Sequence, residues 1–182
     1  MRIDLISLVV PAYKQEKTIV RDVKALEKAL SEISYKYEII IVVDGRADKT
    51  FEKAKSVKSK NIKVLGYEKN RGKGYTVKYG MLKAKGDIVG FIDAGMDINP
   101  ATIPLLLDLM KFHDADIIIG SKLHPESKVN YPFTRLILSW GYRILTEFLF
   151  GFAVRDTQVG LKMFKRKVVR DVLVKLLIKK FA

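Results

Sequence analysis

Five short apolar runs, rich in β-branched residues, punctuate the chain: Leu5–Val10 (LISLVV), Glu38–Val43 (EIIIVV), Ile62–Tyr67 (IKVLGY), Asp87–Ile92 (DIVGFI) and Asp116–Gly120 (DIIIG). Their length and continuity predict buried strands. Between them, helical spacing runs over residues 17–34, 47–59, 73–85 and 100–113, and the last of these opens on Asn99-Pro100, an N-cap followed by a first-turn proline. Strand and helix alternate, which predicts an α/β fold: a mostly parallel sheet with helices on both faces and right-handed crossovers. No linker, internal repeat or low-complexity tract interrupts the pattern.

The polar, glycine-rich and acidic residues fall almost entirely after the carboxyl ends of the expected strands: PAYKQE after the first, DGRAD after the second, EKNRGKG after the third, DAGMD after the fourth and SKLHPES after the fifth. Ligands of open α/β sheets bind at that edge.

Composition narrows the chemistry. The 182 residues amount to one domain. The 34 Lys and Arg against 20 Asp and Glu leave a net charge of +14, which asks for an anionic partner. With no Cys and only His113 and His124, disulfides, thiol nucleophiles and Cys/His zinc sites are excluded, and carboxylates are the metal ligands that remain. Leu5–Val10 is too short and too close to Asp4 for a signal peptide. The longest apolar stretch, Thr134–Val154, contains Arg135, Arg143 and Glu147, so it is expected to lie on a membrane rather than cross one.

A Walker P-loop fails because Gly66 and Gly72 are one residue too far apart and Gly74 stands where the hydroxyl belongs. A dinucleotide fingerprint fails because Val77 occupies the position of its third glycine. What survives is at the strand ends. Asp93 and Asp97 suit a hard cation such as Mg²⁺ or Mn²⁺ held against a diphosphate; the plain alternative is that they close a turn and cap the helix from Pro100. Asp44 is placed to accept hydrogen bonds from a nucleobase or ribose, whereas Asp48 suits a helix N-terminus. Asn70–Gly74 (NRGKG) precedes a helix and offers backbone N–H groups and Lys73 to a phosphate. On a helix from Thr134, Arg135 and Ser139 are neighbours on an otherwise apolar cylinder, a pair suited to a phosphate monoester on a lipid chain.

With SLVVPAYKQEKTI, EIIIVVDGRADKT, NRGKGYTVKYGMLKAKGDIVGFIDAGMD, DADIIIGSK and VRDTQVGLKMFKR in that order, the sequence resembles glycosyltransferase family 2, and within it the polyprenyl-phosphate sugar transferases that act on dolichyl phosphate. The likeness runs from about residue 5 to 166. It implies a GT-A (Rossmann-like) fold, a nucleotide-sugar donor such as a UDP- or GDP-hexose, a divalent cation and inversion at the anomeric carbon. By position, it implies that Pro11, Tyr13 and Asp44 contact the nucleoside with Glu16 nearby, that Lys73 assists the donor phosphates, and that Asp93 and Asp97 hold the metal. Lys122, Arg135 and Ser139 would hold the lipid phosphate, with Asp156 and Gln158 lining the acceptor side. Asp93, Lys122 and Arg135 would carry the catalysis. The chain departs from the family at PAYKQ, at Val43-Asp44-Gly45-Arg46, and above all at Asp93-Ala94-Gly95, where the middle metal carboxylate is missing and Asp97 is the expected substitute.

The expected reaction is attack by polyprenyl phosphate on the anomeric carbon at the cytoplasmic face of a membrane. The alternatives are a saccharide acceptor or a nucleotide-sugar-binding module without turnover. A phosphate monoester, with a second pKa of about 6, needs no strong general base near neutrality. Residues 162–180, with eight Lys or Arg and one acid, read either as a basic helix resting on anionic lipid or as a helix packed on the sheet. Nucleic acid is not an expected partner, because the cations are dispersed and no aromatic stacking strip accompanies them. The expected organisation is a single GT-A catalytic domain over 1–182, lacking a C-terminal segment of the full-length protein.

Overall fold

A computed structural model describes residues 2–96, 98–120 and 160–176. All but Gly120 of these belong to one compact unit, Met1–Ile119 with Gly160–Ala182. The five apolar runs form β1 (Leu5–Ala12), β2 (Lys36–Asp44), β3 (Ile62–Tyr67), β4 (Ile88–Ile92) and β5 (Ile117–Ile119). The helical segments form α1 (Ile19–Ser31), α2 (Thr50–Ser56), α3 (Lys73–Lys83) and α4 (Ile103–Phe112). A 3₁₀ turn, Pro100–Thr102, leads into α4, and Asn99 caps it by accepting the Ala101 N–H at 3.0 Å. The Asn-Pro pair therefore does what its order predicted.

A sixth strand, β6 (Leu161–Lys165), corrects the expectation that a helix begins at Lys162. Leu161, Met163 and Lys165 alternate inward along it. Lys165 is accommodated because its ammonium reaches the Asp114 and Asp116 carboxylates at 2.8 and 3.0 Å. Helix starts only at α5 (Arg166–Val168), continues as a π-helical turn over Val169–Leu173, and residues 177–182 lie outside the described residues.

The sheet order is β3-β2-β1-β4-β6-β5. β1, β2, β3 and β4 pair in parallel, while β6 runs antiparallel between β4 and β5. β5 is thus an edge strand, and Ile117 is 46% exposed where full burial was expected. Both faces of the sheet are covered, as predicted. Leu8 and Val10 of β1 join Ile39 and Ile41 in a core closed by Ile19, Val23, Leu26 and Leu30 of α1 and by Ile103, Leu107 and Met110 of α4. Val9, Ile40 and Val42 point the other way, against Val77 and Met81 of α3 and Val169 beyond α5. Strands sandwiched between two helical layers must be apolar on both sides, which is why they read as continuous runs. Among the described residues no helix is long and apolar enough to cross a membrane.

Candidate functional site

Strand order reverses between β1 and β4: the chain steps outward from β1 to β2 and β3, then returns to the other side of β1 as β4. Loops diverge at such a point and leave a crevice beyond the carboxyl ends of the strands. A cleft of about 310 Å³ lies there. Pro11 and Ala12 line it from the end of β1 and Tyr13 and Gln15 from just beyond it, Asp44 from β2, Asn70, Gly72, Lys73 and Thr76 from the loop and first turn of α3, and Asp93 and Ala94 from just beyond β4. Five residues singled out from the sequence, Pro11, Tyr13, Asp44, Lys73 and Asp93, are therefore brought together by four separate segments.

Asp44 is 3% exposed and its carboxylate is occupied by the protein itself. Oδ1 accepts the Arg71 N–H at 2.7 Å, and Oδ2 accepts the Gly72 N–H and the Asn70 amide, both at 3.0 Å. These charge-assisted bonds fold the NRGKG segment across the end of β2 and aim its last residues at the cleft. Thr76 continues the arrangement one turn into α3, donating to Gly72 O at 2.9 Å and meeting the Tyr67 hydroxyl at 2.7 Å. Burial, with the Asp44 charge adding to it, raises Tyr67 well above the ordinary tyrosine pKa.

Asp93 is treated differently. Its Oδ2 accepts from the Lys73 ammonium at 2.7 Å, while its Oδ1 is buried without a hydrogen-bond partner among the described residues. The backbone holds it firmly: the Asp93 N–H donates to Gly160 O at 2.8 Å, and a Cβ on Gly160 would come within 2.5 Å of the Asp93 carboxylate. Beyond Asp93 the loop turns through Gly95 at φ +95° and Met96 at φ +52°. Gly95 donates its N–H to Asp22 Oδ2 at 2.9 Å, and Arg21 holds the other Asp22 oxygen at 2.9 to 3.0 Å. The residue that replaces the second metal carboxylate thus adopts a backbone conformation that favours glycine.

The loop after β1 is tied to the start of α2. Gln15 donates its N–H to Thr50 Oγ1 at 2.8 Å, Glu16 donates its N–H to Asp48 Oδ2 at 3.2 Å, and Glu16 Oε2 accepts the Lys49 N–H at 3.1 Å. Glu16 does not line the cleft; its carboxylate helps fasten two loops together. Asp48 sits at the helix N-terminus as expected, accepting the Thr50 N–H at 3.0 Å. Burial pushes its carboxyl up, but the Thr50 and Glu16 hydrogen bonds and the Lys14 charge outweigh this and leave it below the ordinary range. Tyr13, 43% exposed, presents its ring at the mouth of the cleft with the Lys14 ammonium 5.3 Å from the ring centre.

Asp97, Lys122, Arg135, Ser139, Asp156 and Gln158 lie outside the described residues. Asp22, Thr50 and Thr76 escaped the sequence reading, because each works on a partner loop rather than on a recognisable motif; Asn70 stands out there only as part of NRGKG, not as a donor to Asp44. Only the N-terminal placement of Asp22 in α1 offered a signal, and that signal points to a helix dipole rather than to Gly95.

The donors present suit a hard divalent cation. A buried carboxylate oxygen without a partner is an oxygen ligand ready for use, and Mg²⁺ or Mn²⁺ typically takes one or two carboxylates and completes its shell with phosphate and water. No group of three or more acidic or histidine side chains that could hold a metal occurs among the described residues.

Similarity to known proteins agrees with this geometry. The chain is 32% identical over 192 residues to dolichyl-phosphate beta-glucosyltransferase of Dictyostelium discoideum, covering 97% of this chain and 59% of that protein. It is 33% identical over 138 residues to dolichol-phosphate mannosyltransferase of Pyrococcus furiosus, covering 75% of this chain and 38% of that protein. The chain therefore spans well under two thirds of these relatives. Among solved structures, glucosyl-3-phosphoglycerate synthase of Mycobacterium tuberculosis, crystallised with Mn²⁺ and UDP, superposes with a TM-score of 0.65 at 22% identity over 91% of this chain and 58% of that one. Mannosyl-3-phosphoglycerate synthase of Rubrobacter xylanophilus gives 0.68 at 18% identity over 98% and 64%. The expected GT-A fold is the fold found. The profile of glycosyl transferase family 2 matches residues 7–173, and the chain belongs to that family.

Proposed function

We propose that this protein transfers a hexose from a nucleotide sugar to a polyprenyl phosphate at the cytoplasmic surface of a membrane. The observation that carries the reading is the cleft at the reversal of strand order, where a loop organised by Asp44, the Lys73 ammonium and a half-satisfied Asp93 converge. The nucleoside lies along Pro11–Tyr13, and the diphosphate meets Lys73 and the backbone at the start of α3. Asp93, with Asp97, would hold a divalent cation, which when bound would supply positive charge to the departing diphosphate. Mn²⁺ in a protein of the same fold supports a divalent cation as cofactor.

In the reaction, an oxygen of the acceptor phosphate forms a bond to the anomeric carbon from one face while the bond to the donor diphosphate breaks on the other. Configuration inverts, and the electron pair leaves with the nucleoside diphosphate. Lys73 meets charge where it grows, the kind of pre-placed interaction that lowers such barriers. The acceptor phosphate is already largely ionised near neutrality and needs no strong general base. By family position, Lys122, Arg135, Ser139, Asp156 and Gln158 would serve the acceptor phosphate, and the names of the relatives favour dolichyl phosphate as the acceptor class.

Incubation with radiolabelled UDP-glucose or GDP-mannose, polyprenyl phosphate and Mn²⁺, followed by organic extraction, tests the reading. Label in the lipid phase is expected. Label confined to a water-soluble saccharide moves the acceptor to another class, and nucleotide-sugar binding without transfer overturns the catalytic reading.

A further inference from the structure

The Asp93 carboxylate has one firm neighbour and one unsatisfied oxygen. Lys73 Nζ sits 2.7 Å from Oδ2, and Oδ1 is buried without a partner among the described residues. The two sides of this pair differ in freedom. Asp93 is fixed at the end of β4 by its hydrogen bond to Gly160 O, whereas the Lys73 side chain, 44% exposed, reaches in from the first turn of α3 on a flexible stem. Any dication approaching the Asp93 carboxylate meets an ammonium already bound to it at 2.7 Å, and like charges within a few ångströms of each other oppose one another even in a watery dielectric. The described residues also lack a group of three or more acids and histidines that could anchor the ion unaided.

We infer that Lys73 and the divalent cation compete for the Asp93 carboxylate, and that the donor diphosphate settles the competition by drawing the ammonium onto its own oxygens. The inference rests on the function proposed above and adds an order to it: Lys73 keeps the metal site weak until a nucleotide diphosphate is present. Phosphate oxygens offer the ammonium a partner of higher charge than a single carboxylate, so release costs little. Once Lys73 has moved, Asp93 can offer the metal both oxygens. Metal and nucleotide then strengthen each other's binding by the same factor, as linkage requires. Lys73 serves first as a restraint on the site and then as a phosphate ligand. The missing middle carboxylate at Gly95 makes such a restraint effective, because a site with fewer acids is more easily outweighed by one cation.

The test is a Mn²⁺ titration of the full chain followed by the electron paramagnetic resonance signal of the free ion, without nucleotide and with UDP or GDP, on the wild type, Lys73→Met and Lys73→Arg. Thermal unfolding of each variant checks that it is folded. The wild type is expected to bind Mn²⁺ weakly alone and more tightly with nucleotide, beyond what the nucleotide binds by itself. Lys73→Met is expected to bind Mn²⁺ alone about tenfold more tightly and to gain less from nucleotide. Lys73→Arg, which keeps the charge, should stay near the wild type. Equal nucleotide-free affinity in Lys73→Met and the wild type overturns the competition while leaving the metal site standing. Failure of the wild type to take up Mn²⁺ under any condition, nucleotide included, overturns the metal reading itself.

Discussion

Two strand ends in one cleft carry aspartates with opposite fates. At the end of β2, Asp44 is sealed and accepts three hydrogen bonds from Asn70, Arg71 and Gly72. At the end of β4, Asp93 is a third exposed, shares one oxygen with Lys73 and leaves the other without a partner among the described residues. Two backbone N–H groups and one side-chain amide hold the Asp44 carboxylate in place, whereas one Asp93 oxygen has no such donor among the described residues. A position on the ligand edge therefore does not assign a role by itself. In this molecule the second strand's acid organises the NRGKG loop, and the fourth strand's acid is the one the proposed function gives to the metal.

The division has consequences of graded size. Asp93→Asn should lower transfer by about 100- to 1000-fold, the range seen when one group that stabilises developing charge is removed, while leaving thermal stability close to that of the wild type. Asp44→Ala should do the reverse in emphasis: urea unfolding is expected to show a loss of about 2–3 kcal/mol, because two backbone N–H groups lose their acceptor. If Asp44→Ala instead unfolds like the wild type and loses only nucleotide affinity, the contrast between the two acids collapses. Asp22→Ala, which removes the acceptor for Gly95 N–H, should cost about 1–2 kcal/mol and raise the Mn²⁺ concentration needed for half-maximal transfer more than it lowers the maximal rate. Gly95→Asp restores the family's second carboxylate in open space, since nothing lies within 4 Å of an added Cβ. It should tighten Mn²⁺ binding while costing about 1 kcal/mol for the left-handed backbone. The smallest effect is spectroscopic. Tyr67 is raised above the ordinary value of 10.0 by burial first and by the Asp44 charge in addition. Its contribution favours the folded state below pH 10 and is lost as pH rises toward its folded pKa. Ultraviolet titration should find Tyr67 ionising late in the wild type and earlier in Asp44→Asn.

Most of this architecture follows from local pattern. Runs such as EIIIVV have to be strands between two helical layers, and Asn99-Pro100 has to open a helix. β6 escaped because LKMFK lacks β-branched residues and resembles the helix that follows it. Its conformation is imposed by pairing with β4 and β5 and by the Lys165 bridge to Asp114 and Asp116. Within the site, the positions of Asp44, Lys73 and Asp93 were legible from their place after strands, but their separate roles were not. What distinguishes Asp44 from Asp93 is which backbone N–H groups reach each carboxylate, and those come from residues distant in sequence. Asp22 shows the same limit: its partner Gly95 is 73 residues away, beyond the reach of any local rule.

The most direct test of the assigned roles is calorimetric titration of the full chain with UDP and with GDP, each with and without Mn²⁺, for the wild type, Asp44→Asn and Asp93→Asn. Mn²⁺ should strengthen nucleotide binding in the wild type and in Asp44→Asn, and should leave Asp93→Asn at its metal-free affinity. A full Mn²⁺-dependent gain in Asp93→Asn would contradict the account.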